Sequence, residues 1–186
     1  MKTIVVLAMH GAPPRDFPSA EMAEFFGLHA RVEAGGQGVT PAQSQRCHEL
    51  ESRLLAWPRT PANDPFHAAS MNLAARLERE TGFEVIVGFN EFCGPSMDQV
   101  LASAAGGGAG RVIVVTTMLT RGGGHAQRDI PAAIARARTA HPGVEFVYAW
   151  PFEDGAVLRL LAEQVNRFSG GAAAPGAGNR TARPGG

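Results

Sequence analysis

Two histidines and a glutamate occupy positions where chemistry is expected. His10 follows an apolar run and opens Met9-His10-Gly11-Ala12-Pro13-Pro14. Glu91 lies in Asn90-Glu91-Phe92-Cys93-Gly94-Pro95, and His125 ends Thr120-Arg121-Gly122-Gly123-Gly124-His125. Neutral imidazoles with one carboxylate make an open site for a borderline divalent cation such as Co²⁺, Fe²⁺ or Ni²⁺. Imidazole is also a base near neutral pH, with an unperturbed pKa of about 6.5. Gly122, Gly123 and Gly124 let backbone approach a large flat ligand without side-chain interference. Singly, each signal is weak. A lone histidine after a strand is more often structural, and a glycine run is more often a turn or a phosphate cradle. Glu91 serves equally well as a helix-start carboxylate. His29, His48, His67 and His141 lie in or beside helical segments and read as structural or surface residues; Cys93 reads as a small buried one.

The elements around these residues give them a common address. Thr3–Ala8, Phe83–Phe89, Arg111–Thr117 and Val144–Ala149 are short, nearly continuous apolar runs, as strands buried on both faces are. Helical patterns separate them. Pro65–Thr81 places Phe66, Ala69, Leu73 and Leu77 on one stripe. Ser96–Ala105 begins at a plausible N-cap serine. Asp129–Ala140 starts with Asp129 as N-cap and Pro131 in the first turn. Asp154–Phe168 carries Val157, Leu158, Leu161 and Val165 as an apolar face. This alternation predicts an α/β domain over residues 1–168, with a flavodoxin-like four-stranded parallel sheet and helices on both faces. More than seventy residues separate the first two strands. They hold two further helix-like stretches, Ser19–Ala30 and Pro41–Trp57, then the Pro/Asn-rich Pro58–Pro65, so a helical insertion is expected at about 19–61. Residues 169–186 are Gly, Ala and Pro with almost no apolar bulk and are expected to form a disordered tail. If the strand order is 2-1-3-4, ligands bind at the carboxyl ends of the first and third strands. His10, Glu91 and His125 each follow a strand and would meet there.

Composition removes several alternatives. Seventeen basic and seventeen acidic residues give a formal net charge of +0, without the basic excess that nucleic acid or an anionic membrane calls for. Two cysteines, Cys47 and Cys93, are too few for a disulfide framework and lack C-x-x-C spacing. The apolar run after Lys2 is shorter than the roughly 7–15 residues of a signal-peptide core, and no stretch approaches a membrane span. A cytoplasmic protein is the expectation.

Three segments together resemble the class II chelatases of the sirohydrochlorin cobaltochelatase and ferrochelatase group, the CbiX/SirB family. Gly123-Gly124-His125-Ala126-Gln127-Arg128-Asp129-Ile130-Pro131 is similar to the family's G-G-H-x-x-x-D-I-P signature. Phe89-Asn90-Glu91 through Pro95-Ser96 is similar to F-x-E-x-x-x-P-S/T, and His10-Gly11 to the second half of G-H-G-S. Ala12-Pro13 departs from that last motif and removes its hydroxyl. The resemblance implies a metal chelatase of the lyase class, with His10 and His125 as active-site histidines and metal ligands and Glu91 as the catalytic acidic residue. It also implies a divalent metal as substrate (Co²⁺, Fe²⁺ or Ni²⁺), a free-base tetrapyrrole, no nucleotide, and a homodimer, because no internal repeat of the core unit is visible. The pathway served would be cobalamin or sirohaem synthesis. A non-catalytic metal or tetrapyrrole carrier would use the same cleft. A phosphate-binding enzyme is disfavoured, because no lysine or hydroxyl stands in the glycine run.

Overall fold

The computed structural model describes residues 1–169; the expected tail, from 170 onward, lies outside the described residues. Four strands, β1 (Thr3–Met9), β2 (Glu84–Phe89), β3 (Arg111–Thr116) and β4 (Glu145–Tyr148), form a parallel sheet in the order β2-β1-β3-β4. Each strand falls within one residue of its expected bounds. β1 is the topological centre, pairing with β2 (Met9 opposite Phe89) and with β3 (Ala8 opposite Thr116). Its side chains alternate between two cores. Ile4, Val6 and Ala8 pack with Val112 and Val114 against α4 (Met97–Gly106) and α5 (Ile130–Ala140). Leu7 and Met9 pack with Val87 and Phe89 against Ala74 of α3 (Pro65–Thr81). A strand covered on both faces has no polar side to present, which is why β1 reads as an unbroken apolar run.

Local signals set the helix starts. Ser96 and Gln99 form a reciprocal capping box before α4. Asp64 accepts the His67 N–H at 2.8 Å ahead of α3, which opens on Pro65 and ends at left-handed Gly82. The expected stripe of α3 needs correction. Phe66 and Leu73 are 36% and 41% exposed, Ala69 is exposed too, and the buried positions are Ser70 and Ala74, flanked by half-buried His67 and Leu77. Small residues let the helix sit close against the sheet. The Ser70 hydroxyl is satisfied within its own helix by the Phe66 carbonyl at 2.8 Å, so a polar residue can occupy the buried line.

Between β1 and α3 the insertion is a helical pair, α1 (Ser19–Glu33) and α2 (Pro41–Leu55). Thr40 and Gln43 cap α2 with a second capping box. Phe25 and Leu28 of α1 meet Cys47, Leu50 and Leu54 of α2 in a core of their own, closed by Phe17. Arg46 clamps Glu24 across the pair with two hydrogen bonds of 3.1 and 2.9 Å, and Arg53 pairs with Glu21.

Met1–Trp150 forms one compact unit, and the chain from Pro151 forms a second that contains α6 (Asp154–Phe168). On α6, Leu158, Leu161 and Val165 of the expected apolar face are exposed. Among the described residues no helix is long and apolar enough to cross a membrane.

Candidate metal centre

Parallel register carries the ends of β1, β2 and β3 to one edge, and backbone hydrogen bonds then join two of the loops that leave it. The Asn90 N–H donates to the carbonyls of Met9 (3.0 Å) and His10 (2.9 Å), and the Glu91 N–H donates to His10 O at 3.1 Å. The Asn90 side-chain amide adds a 2.7 Å bond to Met9 O. Gly11, at φ +115°, passes so close that a Cβ built there would lie 1.8 Å from the Glu91 carbonyl oxygen. Only glycine permits that approach. His10 and Glu91 are therefore neighbours by backbone construction.

His125 arrives from the other side of β1. It opens a π-helical turn, His125–Asp129, in which the Ile130 N–H returns to His125 O. Such turns are rare and concentrate at functional sites. Pro131, inside the first turn of α5, has no N–H with which to continue an ordinary helical ladder backward. Two aromatic residues hold this region in place: the Tyr148 hydroxyl donates to Ala126 O at 3.0 Å, and the Trp150 indole N–H to Met118 O at 3.0 Å. Asp129 does not cap α5, as the sequence suggested. Its backbone is helical, and its carboxylate turns back to His125 Nδ1 at 2.6 Å, with Arg128 Nε donating to the other oxygen at 2.9 Å. Partial burial works against the charge on Asp129, but the hydrogen bonds from Arg128 and His125 outweigh it and hold the carboxyl below its usual range.

The three expected residues meet. One ligand atom from each of His10, Glu91 and His125 lies within 4.8 Å of the others. The imidazoles cross edge to face with centroids 4.8 Å apart. Glu91 bridges them, with Oε1 3.3 Å from His10 Nδ1 and Oε2 3.6 Å from His125 Nε2. Because ionised Asp129 only accepts, it directs a proton to His125 Nδ1. In the neutral imidazole, the form that binds a metal, the Nε2 lone pair then faces the Glu91 carboxylate. Two acceptors facing one another call for a cation or a proton between them. With metal bonds of about 2.0–2.2 Å, donors spread up to 4.8 Å need to close only slightly around an ion.

A cavity of about 340 Å³ opens beside this cluster, lined by Glu91, His125 and Asp129 on one side and Phe25, His29 and Glu51 of the insertion on the other. The insertion is thus one wall of the cavity. Nothing in the residue pattern of Ser19–Trp57 signals that role. Gly122 and Gly123 have open space where a side chain would stand, with nothing within 4 Å of a built Cβ. Cys93 is buried, burial pushes its thiol up to about 11, and it is not part of the His10, Glu91 and His125 cluster.

A model of the CbiX family matches residues 63–167, which include Glu91 and His125 but not His10. No curated protein matches the chain. Among solved structures, a CbiX protein from Marinobacter aquaeolei VT8 is similar at 20% identity and a TM-score of 0.48, over 90% of this chain and 96% of that one. The sirohydrochlorin chelatase SirB from Bacillus subtilis subspecies spizizenii, in complex with cobalt, is similar at 18% identity and a TM-score of 0.46. SirB from Bacillus subtilis with Fe³⁺ follows at 17% and 0.44. The matches cover 90% of this chain but only 51% and 48% of the two SirB chains, so this chain spans about half their length. The family match runs through both β2 and β3 and the loops that carry Glu91 and His125 to the sheet edge, over more than half of the sequence, and on that ground the chain belongs to the CbiX family.

Proposed function

We propose that the protein is a chelatase of the lyase class that inserts a divalent metal ion into a free-base tetrapyrrole such as sirohydrochlorin. The observation that carries this is the open cluster of His10, Glu91 and His125, with two facing acceptors, beside a cavity. Metal insertion exchanges two pyrrole N–H protons for one M²⁺, so the site must hold a metal loosely and take up protons. Three ligands leave coordination positions for water and incoming pyrrole nitrogens, whereas a closed four-ligand site would retain the metal. His125, held by Asp129, is the fixed ligand. Glu91, between the imidazoles, accepts the two pyrrole protons in turn, and His10 passes each outward to solvent, since its side chain is 50% exposed and touches Glu91. The backbone of Gly122–Gly124 approaches the macrocycle, and Phe92 and Met118 cover its faces. Co²⁺, Fe²⁺ and Ni²⁺ all suit two imidazoles and a carboxylate. A homodimer goes with this function, and light scattering of the purified protein tests it.

Glu91→Gln tests the central role. The change keeps shape and hydrogen-bonding capacity but removes the base. Turnover of sirohydrochlorin with Co²⁺, followed by the absorbance change of the macrocycle, should fall roughly 10²-fold. The melting temperature should not drop, because a half-buried carboxylate is costly to desolvate. Wild-type protein that binds both substrates without turnover would instead make it a carrier.

A further inference from the structure

His10 and Glu91 stand on separate loops, and a single guanidinium lies behind both. Arg59 follows the insertion in a segment that reads as a Pro/Asn-rich linker, yet its side chain is only 6% exposed. All five of its N–H groups are used. Nε donates to Trp57 O at 3.3 Å; Nη1 donates to Ala12 O at 2.7 Å and to Asp64 Oδ2 at 2.6 Å. Nη2 donates to Leu54 O at 2.9 Å and to Phe92 O. Ala12 is two residues beyond His10, and Phe92 is the residue after Glu91. Leu54 is in the last turn of α2, and Asp64, 1% exposed, caps α3 with its other oxygen. One planar group therefore ties the two ligand-bearing loops to each other, to the insertion and to α3.

The loop it holds does not rest in an ordinary conformation. Phe92 has φ +56°, an outlier for a bulky side chain that persists only where the surroundings impose it. Arg59 fixes its carbonyl. Its ring packs edge-on against Phe26 and Phe25 of α1, at centroid distances of 5.6 and 6.4 Å. A buried ion pair adds little net stability over an apolar replacement, so a five-bond guanidinium at this place calls for another reason.

We infer that Arg59 is a positioning residue for the metal site. It sets the separation of His10 and Glu91 by clamping the loops that carry them, and through Leu54 and Phe92 it makes the helical insertion part of that clamp. The inference rests on His10, Glu91 and His125 being the metal-handling cluster. Lysine cannot substitute, because three donors on one nitrogen do not reach acceptors arrayed around a plane.

Titration of the purified protein with Co²⁺ alone, read by visible absorption, tests this at a temperature well below the melt. Arg59→Lys keeps a positive charge opposite Asp64. It should weaken Co²⁺ binding roughly 10–100-fold, the range for residues that orient ligands, and alter the absorption spectrum of the bound ion. A lowered melting temperature with unchanged affinity and spectrum would overturn the inference. Should Arg59→Lys fail to fold, Asp64→Asn decides. It retains an oxygen to cap α3 but loosens the anchor of the guanidinium, and should weaken Co²⁺ binding several-fold; unchanged binding overturns the inference again. His10→Ala and His125→Ala serve as reference. If both also leave Co²⁺ binding unchanged, the metal-site assignment fails; if they abolish it while the Arg59 and Asp64 variants do not weaken it, only the positioning role fails.

Discussion

Gly11→Ala probes the contact on which the cluster is built. The new Cβ would fall 1.8 Å from the Glu91 carbonyl oxygen and 2.9 Å from its carbonyl carbon, whereas real Cβ atoms essentially never approach within 3.0 Å. The Glu91 loop must therefore retreat by roughly 1.2 Å, a displacement of the size that costs about 10²-fold where reacting groups must be in place. The hydrogen bonds from the Asn90 and Glu91 N–H groups to His10 O, now 2.9 and 3.1 Å, would stretch beyond useful range. At about 0.5–1.5 kcal/mol each, with about 1–3 kcal/mol for alanine at a φ of +115°, the loss comes to about 2–6 kcal/mol. The Glu91–His10 distance of 3.3 Å would open past 4 Å or so. The assay pairs a thermal melt with Co²⁺ titration and sirohydrochlorin turnover, measured where circular dichroism shows the variant folded. A lower melting temperature with Co²⁺ affinity and turnover reduced about 10²-fold is expected. A folded variant with wild-type Co²⁺ affinity would refute the reasoning, because the close approach would then not set the ligand geometry.

Other consequences test neighbouring parts of the site. Gly123→Ala meets no atom within 4 Å and should leave the melting temperature and Co²⁺ affinity unchanged; its effect should be a raised KM for the tetrapyrrole, and an unchanged KM would remove the glycine run from the substrate surface. Asp129→Ala releases His125 Nδ1 and should lower Co²⁺ affinity roughly 10–100-fold, so unchanged affinity would show that the imidazole needs no such support. Burial raises the Cys93 thiol to about 11, so the thiolate fraction at pH 8 is minimal and grows only as pH approaches that value. Native protein should resist a thiol reagent at pH 8 and react after denaturation; rapid labelling of Cys93 in folded protein would contradict the buried placement.

The central strand was legible because β1 is buried on both faces and apolar from Ile4 to Met9. β2, β3 and β4 keep half-buried positions and begin on Glu84, Arg111 and Glu145, yet each still reads as a short, mostly apolar run. His10, Glu91 and His125 were legible because a parallel sheet gathers the loops at its carboxyl edge, whatever their distance in sequence. Residues that act through others were not. Asp129 before Ile130-Pro131 has the pattern of a helix cap, and only the π-helical turn reveals that its carboxylate serves His125. Arg59, Asn63 and Asp64 sit among prolines and an asparagine, the composition of a surface linker. Instead they bury a polar knot in which Asn63 also holds Asp16 at 3.1 Å and its own carbonyl takes the Arg15 N–H at 2.9 Å. The stripe of α3 was misread because burial there follows small residues, Ser70 and Ala74, rather than the largest ones.

The central claim is that His10 and His125 act on one metal ion during insertion. The measurement is the rate of Co²⁺ insertion into sirohydrochlorin by His10→Ala, His125→Ala and the double variant, on protein shown to be folded. Groups acting as a unit are strongly non-additive. Each single variant should lose at least about tenfold, and the double variant should lose far less than the product of the two. Wild-type turnover in either single variant, or losses that simply multiply, would contradict a shared site.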